Sequence, residues 1–123
     1  MATTYLRHDH RGTDRAHQLP RSARQQIVHA RESVLRQNLF TLRTLISQYT
    51  LDKQKAPQAL EDLVSAGYLK QIPPDPITGT ADWTQDQAED TISSPDQQDE
   101  GGIDDVHIAS NQVGSNGTAY STW

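Results

Sequence analysis

Histidine and carboxylate side chains have the widest chemical reach in this chain, and they gather in three places. Near the start, His8-x-His10 with Asp9, Asp14 and His17 offers the imidazole nitrogens and carboxylate oxygens that a transition metal takes. No regular hydrophobic spacing surrounds them to orient the rings, so an incidental cluster is the simpler reading. Asp86 to Glu100 is rich in Asp, Glu, Gln and Ser; it would serve as a weak cation site or a partner surface, against the plainer reading of a solvated loop. His107 follows Asp104 and Asp105 in a short apolar stretch, where a packed or hydrogen-bonded histidine is the simpler assignment than a general base. His29 has no motif partner. No Gly-x-Ser-x-Gly elbow, phosphate loop or Cys/His ligand spacing is present, and cysteine is absent altogether. No catalytic residue is assigned, and the chain reads as a non-enzyme. Trp83, Tyr68, Tyr120 and Trp123 are spaced as core and strand anchors rather than as a ligand-stacking set.

The elements that position these groups come from a short chain. At 123 residues with 33% hydrophobic composition, one domain with a modest core is the expectation. No run reaches the roughly 18 to 20 apolar residues of a membrane span, and no secretory apolar region stands at the N-terminus, so the chain as written reads as soluble. The absence of cysteine removes disulfides and thiolate metal sites without indicating a compartment.

Charge is strongly polarised. Residues 1–55 hold ten Lys/Arg against four Asp/Glu, whereas 56–123 hold Lys70 alone against twelve acids, giving +6 and −11. Two readings follow: head-to-tail attraction between copies or attraction of the basic half to an anionic surface, and, more plainly, a basic tail joined to a solvated acidic domain. A nucleic-acid partner is not expected, because the basic half lacks the interleaved aromatics of a stacking groove and the acidic half would repel phosphate.

Along the chain, residues 1–21 read as a disordered arm or an expression-derived leader, and 22–123 as the folded domain. Ser22 is placed to cap a helix over about 23–50, ending near residue 51. On it Val28, Leu35, Leu39, Leu42, Ile46 and Tyr49 recur at three, four and seven, one stripe of a 3.6-residue helix. Such a helix overshoots so small a domain, so one end should project. Gln58 to Ala66 reads as a second short helix with Gly67 as a left-handed C-cap. Pro73, Pro74 and Pro76 then make a rigid extended crossover. Strands are expected at 82–85, 103–109 and 118–123, with Ile103, Asp105 and His107 on one face and Asp104, Val106 and Ile108 on the other. The fold class is α+β: a long N-terminal helix packed on a small antiparallel sheet, with the acidic loop inserted in the sheet region of 81–123.

At this point particular phrases carry a family resemblance. Arg31-Glu32-Ser33-Val34-Leu35-Arg36-Gln37-Asn38-Leu39-Phe40-Thr41-Leu42-Arg43 precedes Leu60-Glu61-Asp62-Leu63-Val64 and Gly67-Tyr68-Leu69. Ile72-Pro73, Asp75-Pro76-Ile77-Thr78-Gly79, Trp83 and Gly102-Ile103-Asp104-Asp105-Val106-His107 follow in order. Together they resemble the major pseudopilin of type II secretion systems, a relative of type IV pilins, over about Arg31 to Trp123. The resemblance implies a pilin-like fold and a subunit that polymerises helically in the general secretion pathway, helping to extrude folded proteins across the outer membrane. It implies a native place in the inner membrane and periplasm of a Gram-negative-type bacterium. The implied partners are other copies of the chain, minor pseudopilins and an inner-membrane assembly platform. Val28, Leu35, Leu39, Leu42 and Ile46 are then the expected assembly face. Family members begin with a basic leader, a cleavage site before Phe-Thr-Leu-x-Glu and an apolar helical half; none of these precedes Ser22. Contact with a membrane is accordingly expected only through that missing helix.

The resemblance also raises calcium, which many major pseudopilins hold in the loop before the last strand. Here Ser110 to Thr118 contains no carboxylate, leaving Asn111, Ser115 and Asn116 as weak neutral candidates. No cofactor is expected, with calcium the one alternative. Two other functions remain compatible with the residues: a soluble pilin-like binding or adaptor module, and a type IV pilus subunit.

Overall fold

The computed structural model describes residues 19–88 and 101–123. The His8, His10 and His17 arm and most of the acidic run lie outside the described residues.

Helix α1 spans Arg21–Lys53, 33 residues and about 50 Å at 1.5 Å each. No glycine or proline interrupts it. It starts earlier than expected: Pro20 is the N-cap, its carbonyl accepts from the Arg24 N–H at 3.0 Å, and Ser22 lies inside the first turn rather than capping it. Proline has no N–H with which to extend the ladder further back, so the helix begins directly after it. At the other end Gln54 takes a left-handed conformation, φ 62°, and its N–H bonds Thr50 O.

Helix α2 spans Leu60–Ser65. Its start is later than expected because Ala59 is extended, and the Asp62 carboxylate accepts from the Gln58 N–H at 2.8 Å. Gly67, φ +88°, closes the helix in a Schellman arrangement: Tyr68 N bonds Leu63 O and Gly67 N bonds Val64 O. The proline-rich crossover is organised around Asp75, a buried carboxylate accepting from Ile77 N, Thr78 N and Thr78 Oγ1. Its backbone pairs with Thr80 and Gly79. Trp83 Nε1 donates to Pro73 O at 2.8 Å, fixing the indole against the crossover it leaves.

Strands β1 (Trp83–Gln87) and β2 (Ile103–Ile108) pair antiparallel. Asp86 faces Asp105 but Gln87 faces Ile103, so Asp104 is an extra residue in β2. This bulge corrects the expected two-residue alternation, since one inserted residue reverses which face every residue before it presents. Ile103, Val106 and Ile108 are all buried, and Asp104 and Asp105 both stay off the core face.

The expected last strand is also corrected. Residues 120–122 form a 3₁₀ turn, preceded by a single bridge between Val113 and Ala119. Tyr120 and Trp123 both pack toward α1, ring centroids 5.0 Å apart. A strand sends residues three apart to opposite faces, whereas a 3₁₀ turn stacks i over i+3. Leu35, Leu39, Leu42, Ile46 and Tyr49 of α1 meet Leu60, Leu63, Trp83, Ile103, Val106, Ile108 and Tyr120 in one core. The architecture is α+β, a long helix on a two-stranded antiparallel sheet among the described residues.

Candidate functional site

The first third of α1 is left uncovered by the other described residues. Nothing from Arg21 to Arg31 is buried, and Glu32 is the first buried residue. Val28 lies one heptad before Leu35, in line with the core stripe, yet is 38% exposed; Ile27 and Val34 are exposed beside it. The sheet does not extend that far along the helix. Of the five residues expected to form an assembly face, Val28 alone is at the surface: Leu35, Leu39, Leu42 and Ile46 are buried in the domain's own core. That part of the expectation is corrected, because a stripe used once to close the domain is unavailable to a second partner.

Further along α1, Arg43 reaches across the edge of β2. Its Nε lies 2.6 Å from Asp105 Oδ1, and its Nη2 donates to Val106 O at 3.0 Å and to Trp123 O at 2.5 Å. Burial works to raise the Asp105 carboxyl, but the Arg43 hydrogen bond, the Val106 N–H and the Arg43 and His107 charges outweigh it and hold the pKa below the usual value. One guanidinium thereby ties helix, sheet edge and chain end together.

His107 sits beside this contact. Its Nε2 is 2.9 Å from Asp86 Oδ2 and 3.4 Å from Asp105 Oδ2, so Asp86, Asp105 and His107 bring three possible metal ligands within 4.8 Å. Arg43 Nη2, a donor only, stands 3.5 Å from Nδ1. His107 is thus paired with two carboxylates, in keeping with the hydrogen-bonded reading of that residue.

An open groove of about 700 Å³ runs between α1 and the C-terminal loop. Leu39, Phe40, Arg36 and Trp123 line it, with Phe40 68% exposed and the Arg36 guanidinium 4.4 Å from the Trp123 ring centroid. Two apolar surfaces and two arginines here face solvent or are only half covered.

The expected calcium candidates have other partners. Asn111 Oδ1 accepts from Ser121 Oγ at 2.8 Å, and Asn116 Oδ1 accepts from Thr118 N and Oγ1. Ser115, though exposed, reaches α1: its N–H and Oγ–H both donate to Glu32, which also accepts from Tyr120 O–H at 2.7 Å. Burial pushes the Glu32 carboxyl up, but these bonds and the Arg36 charge outweigh it and hold its pKa below the ordinary range. Tyr120, desolvated and hydrogen-bonded to that carboxylate, is pushed up to about 12.

Glu32 and Arg43 carry the most organised polar contacts and were not singled out from the sequence. A signal for Glu32 was present: it stands one heptad before Leu39, a carboxylate at the border of an apolar stripe. Arg43 had no such mark. No family model matches the chain, and neither a curated protein nor a solved structure matches it.

Proposed function

We propose that the chain is a structural subunit of a filament of the type II secretion pseudopilus kind, polymerising to help move folded proteins across the outer membrane. The observation that carries this reading is the uncovered first third of α1, where the core stripe continues as Val28 beyond the domain that covers it. An apolar stripe running past its own domain gains stability when neighbouring helices cover it. Charge supports the same arrangement. Helix α1 carries six basic against two acidic residues, and the remaining described residues carry two basic against seven acidic. Opposite charges on different elements permit a head-to-tail contact between copies that repeats, as an open polymer requires. No helix among the described residues is long and apolar enough to cross a membrane. Passage through the membrane is assigned, by resemblance, to an apolar helical half of the kind that begins other family members.

The test uses the full-length gene in a strain carrying its cognate secretion genes. Sheared surface filaments and substrate export are expected with the parent chain, and loss of both with Ile27→Asp/Val28→Asp. Both positions are exposed, so circular dichroism of the purified variant should match the parent. Filaments unaffected by the two charges would refute the assembly role of this stripe. No filaments and no export defect on deletion would favour a binding or adaptor module instead, for which the Phe40 groove is the matching surface.

A further inference from the structure

The resemblance to pseudopilins raises calcium in the loop before the chain end, and the donor chemistry of residues 110–119 decides whether it fits. A hard cation needs converging oxygen lone pairs, preferably anionic. What converges in this loop is the reverse. Ser115 N–H, Ser115 Oγ–H and Tyr120 O–H all point their hydrogens at one place, and Glu32 fills it, with bonds of 2.8, 2.5 and 2.7 Å. Three of the loop's carbonyls serve its own turns: Gly114 O accepts from Gly117 N, Thr118 O from Gly114 N, and Gln112 O from Tyr120 N. Asn111 and Asn116 are likewise occupied as acceptors. The residues present do not fit a calcium ion.

We infer that Glu32 is a built-in anionic latch that holds the C-terminal loop on α1, so the order of this loop is independent of divalent cations. The carboxylate is 1% exposed and reaches residues 83 to 88 positions away in sequence. Residues 110–119 contain no charged side chain of their own; the groups facing Glu32 are Tyr120 from the 3₁₀ turn and Arg36, one turn along α1. Packing beside the carboxylate is close at Gly114. A Cβ on Gly114 would stand 2.6 Å from Trp123, 2.9 Å from Tyr120 and 3.2 Å from Glu32 Oε2, so only glycine lets the loop come this close. Release of the latch would also loosen one wall of the groove beside Phe40, since Asn116, Thr118 and Trp123 belong to that wall. None of this depends on whether the chain assembles.

Amide hydrogen exchange and thermal unfolding of the full chain test the latch. Parent protein is compared in EDTA and in millimolar CaCl₂. Equal midpoints and equal protection of the Ser115 amide are expected. A Ca²⁺-dependent gain in either would overturn the inference. Glu32→Gln removes the charge and one acceptor while keeping the shape, and should speed Ser115 exchange by at least ~10-fold relative to core amides such as Val106. Unchanged Ser115 exchange would overturn the inference. Should Glu32→Gln fail to fold, Tyr120→Phe deletes one donor only, and Ser115 exchange faster than in the parent is again the expected result, unchanged exchange the contrary one.

Discussion

Leu39 and Phe40 are neighbours in sequence, and truncating each to alanine should have opposite consequences. Leu39 is 3% exposed and faces the sheet; Phe40 is 68% exposed and faces the groove. Leu39→Ala removes a fully buried isobutyl group and leaves a cavity, a loss of about 3–4 kcal/mol. Phe40→Ala forfeits only about a third of the 1.5–3 kcal/mol that full burial is worth, so ~0.5–1 kcal/mol, from which alanine's better helix propensity returns a few tenths. With a urea slope of about 1.5 kcal/mol/M, the midpoint should fall by about 2 M for Leu39→Ala and by at most ~0.5 M for Phe40→Ala. Urea titration followed by circular dichroism at 222 nm reads both. If Phe40→Ala cost as much as Leu39→Ala, the orientation of α1 on the sheet would be wrong, because rotation by one residue exchanges the two side chains. The same pair separates folding from assembly: a filament defect in Leu39→Ala reports a weakened core, whereas one in Phe40→Ala, whose domain stays folded, reports a contact between subunits.

Two further outcomes follow from the polar contacts. Arg43→Ala should lower stability by about 1–2 kcal/mol, since it removes the cation from Asp105 and frees the Trp123 end, and Arg43→Lys should recover less than half because one ammonium cannot serve Asp105, Val106 O and Trp123 O together; thermal midpoints about 4–8 °C lower per kcal/mol would show it. The Glu32–Tyr120 pair should give the loop a pH window. Glu32, lowered in the fold, contributes stability above its unfolded value of 4.5 that is lost as pH falls through the lower folded value; Tyr120, raised from 10.0 to about 12, contributes below pH 10 and loses its contribution as pH climbs toward 12. Ser115 amide protection, corrected for intrinsic exchange, and the tyrosinate absorbance lost on Tyr120→Phe are the readouts; Tyr120 ionising at the ordinary value of 10.0 would refute the bond to Glu32.

Much of the architecture was legible in the sequence because it rests on near neighbours. The stripe from Val28 to Tyr49, the uninterrupted helical run to about residue 50, the left-handed Gly67 after α2 and the rigid proline segment are set by spacings of one to seven residues. The overshoot of α1 also followed from its length against the size of the chain. The expected assembly face was legible only in part, since periodicity marks an apolar stripe without saying what covers it. Tertiary packing gave Leu35, Leu39, Leu42 and Ile46 to the core and left Val28 outside.

The remaining features depend on residues far apart in the chain. The bulge at Asp104 exists because Ile103, Val106 and Ile108 must all face one helix, which a regular strand of that sequence does not allow. The 3₁₀ turn at 120–122 exists because Tyr120 and Trp123, three residues apart, both pack on α1. Glu32 finds its donors 83 and 88 residues later, and Arg43 its acceptors 62 to 80 residues later. Local propensity determined which elements form and roughly how long they are. Which polar side chains they pair, and with what, was decided only when the folded backbone brought a donor and an acceptor together, and Glu32, taken out of water there, cannot be left unpaired.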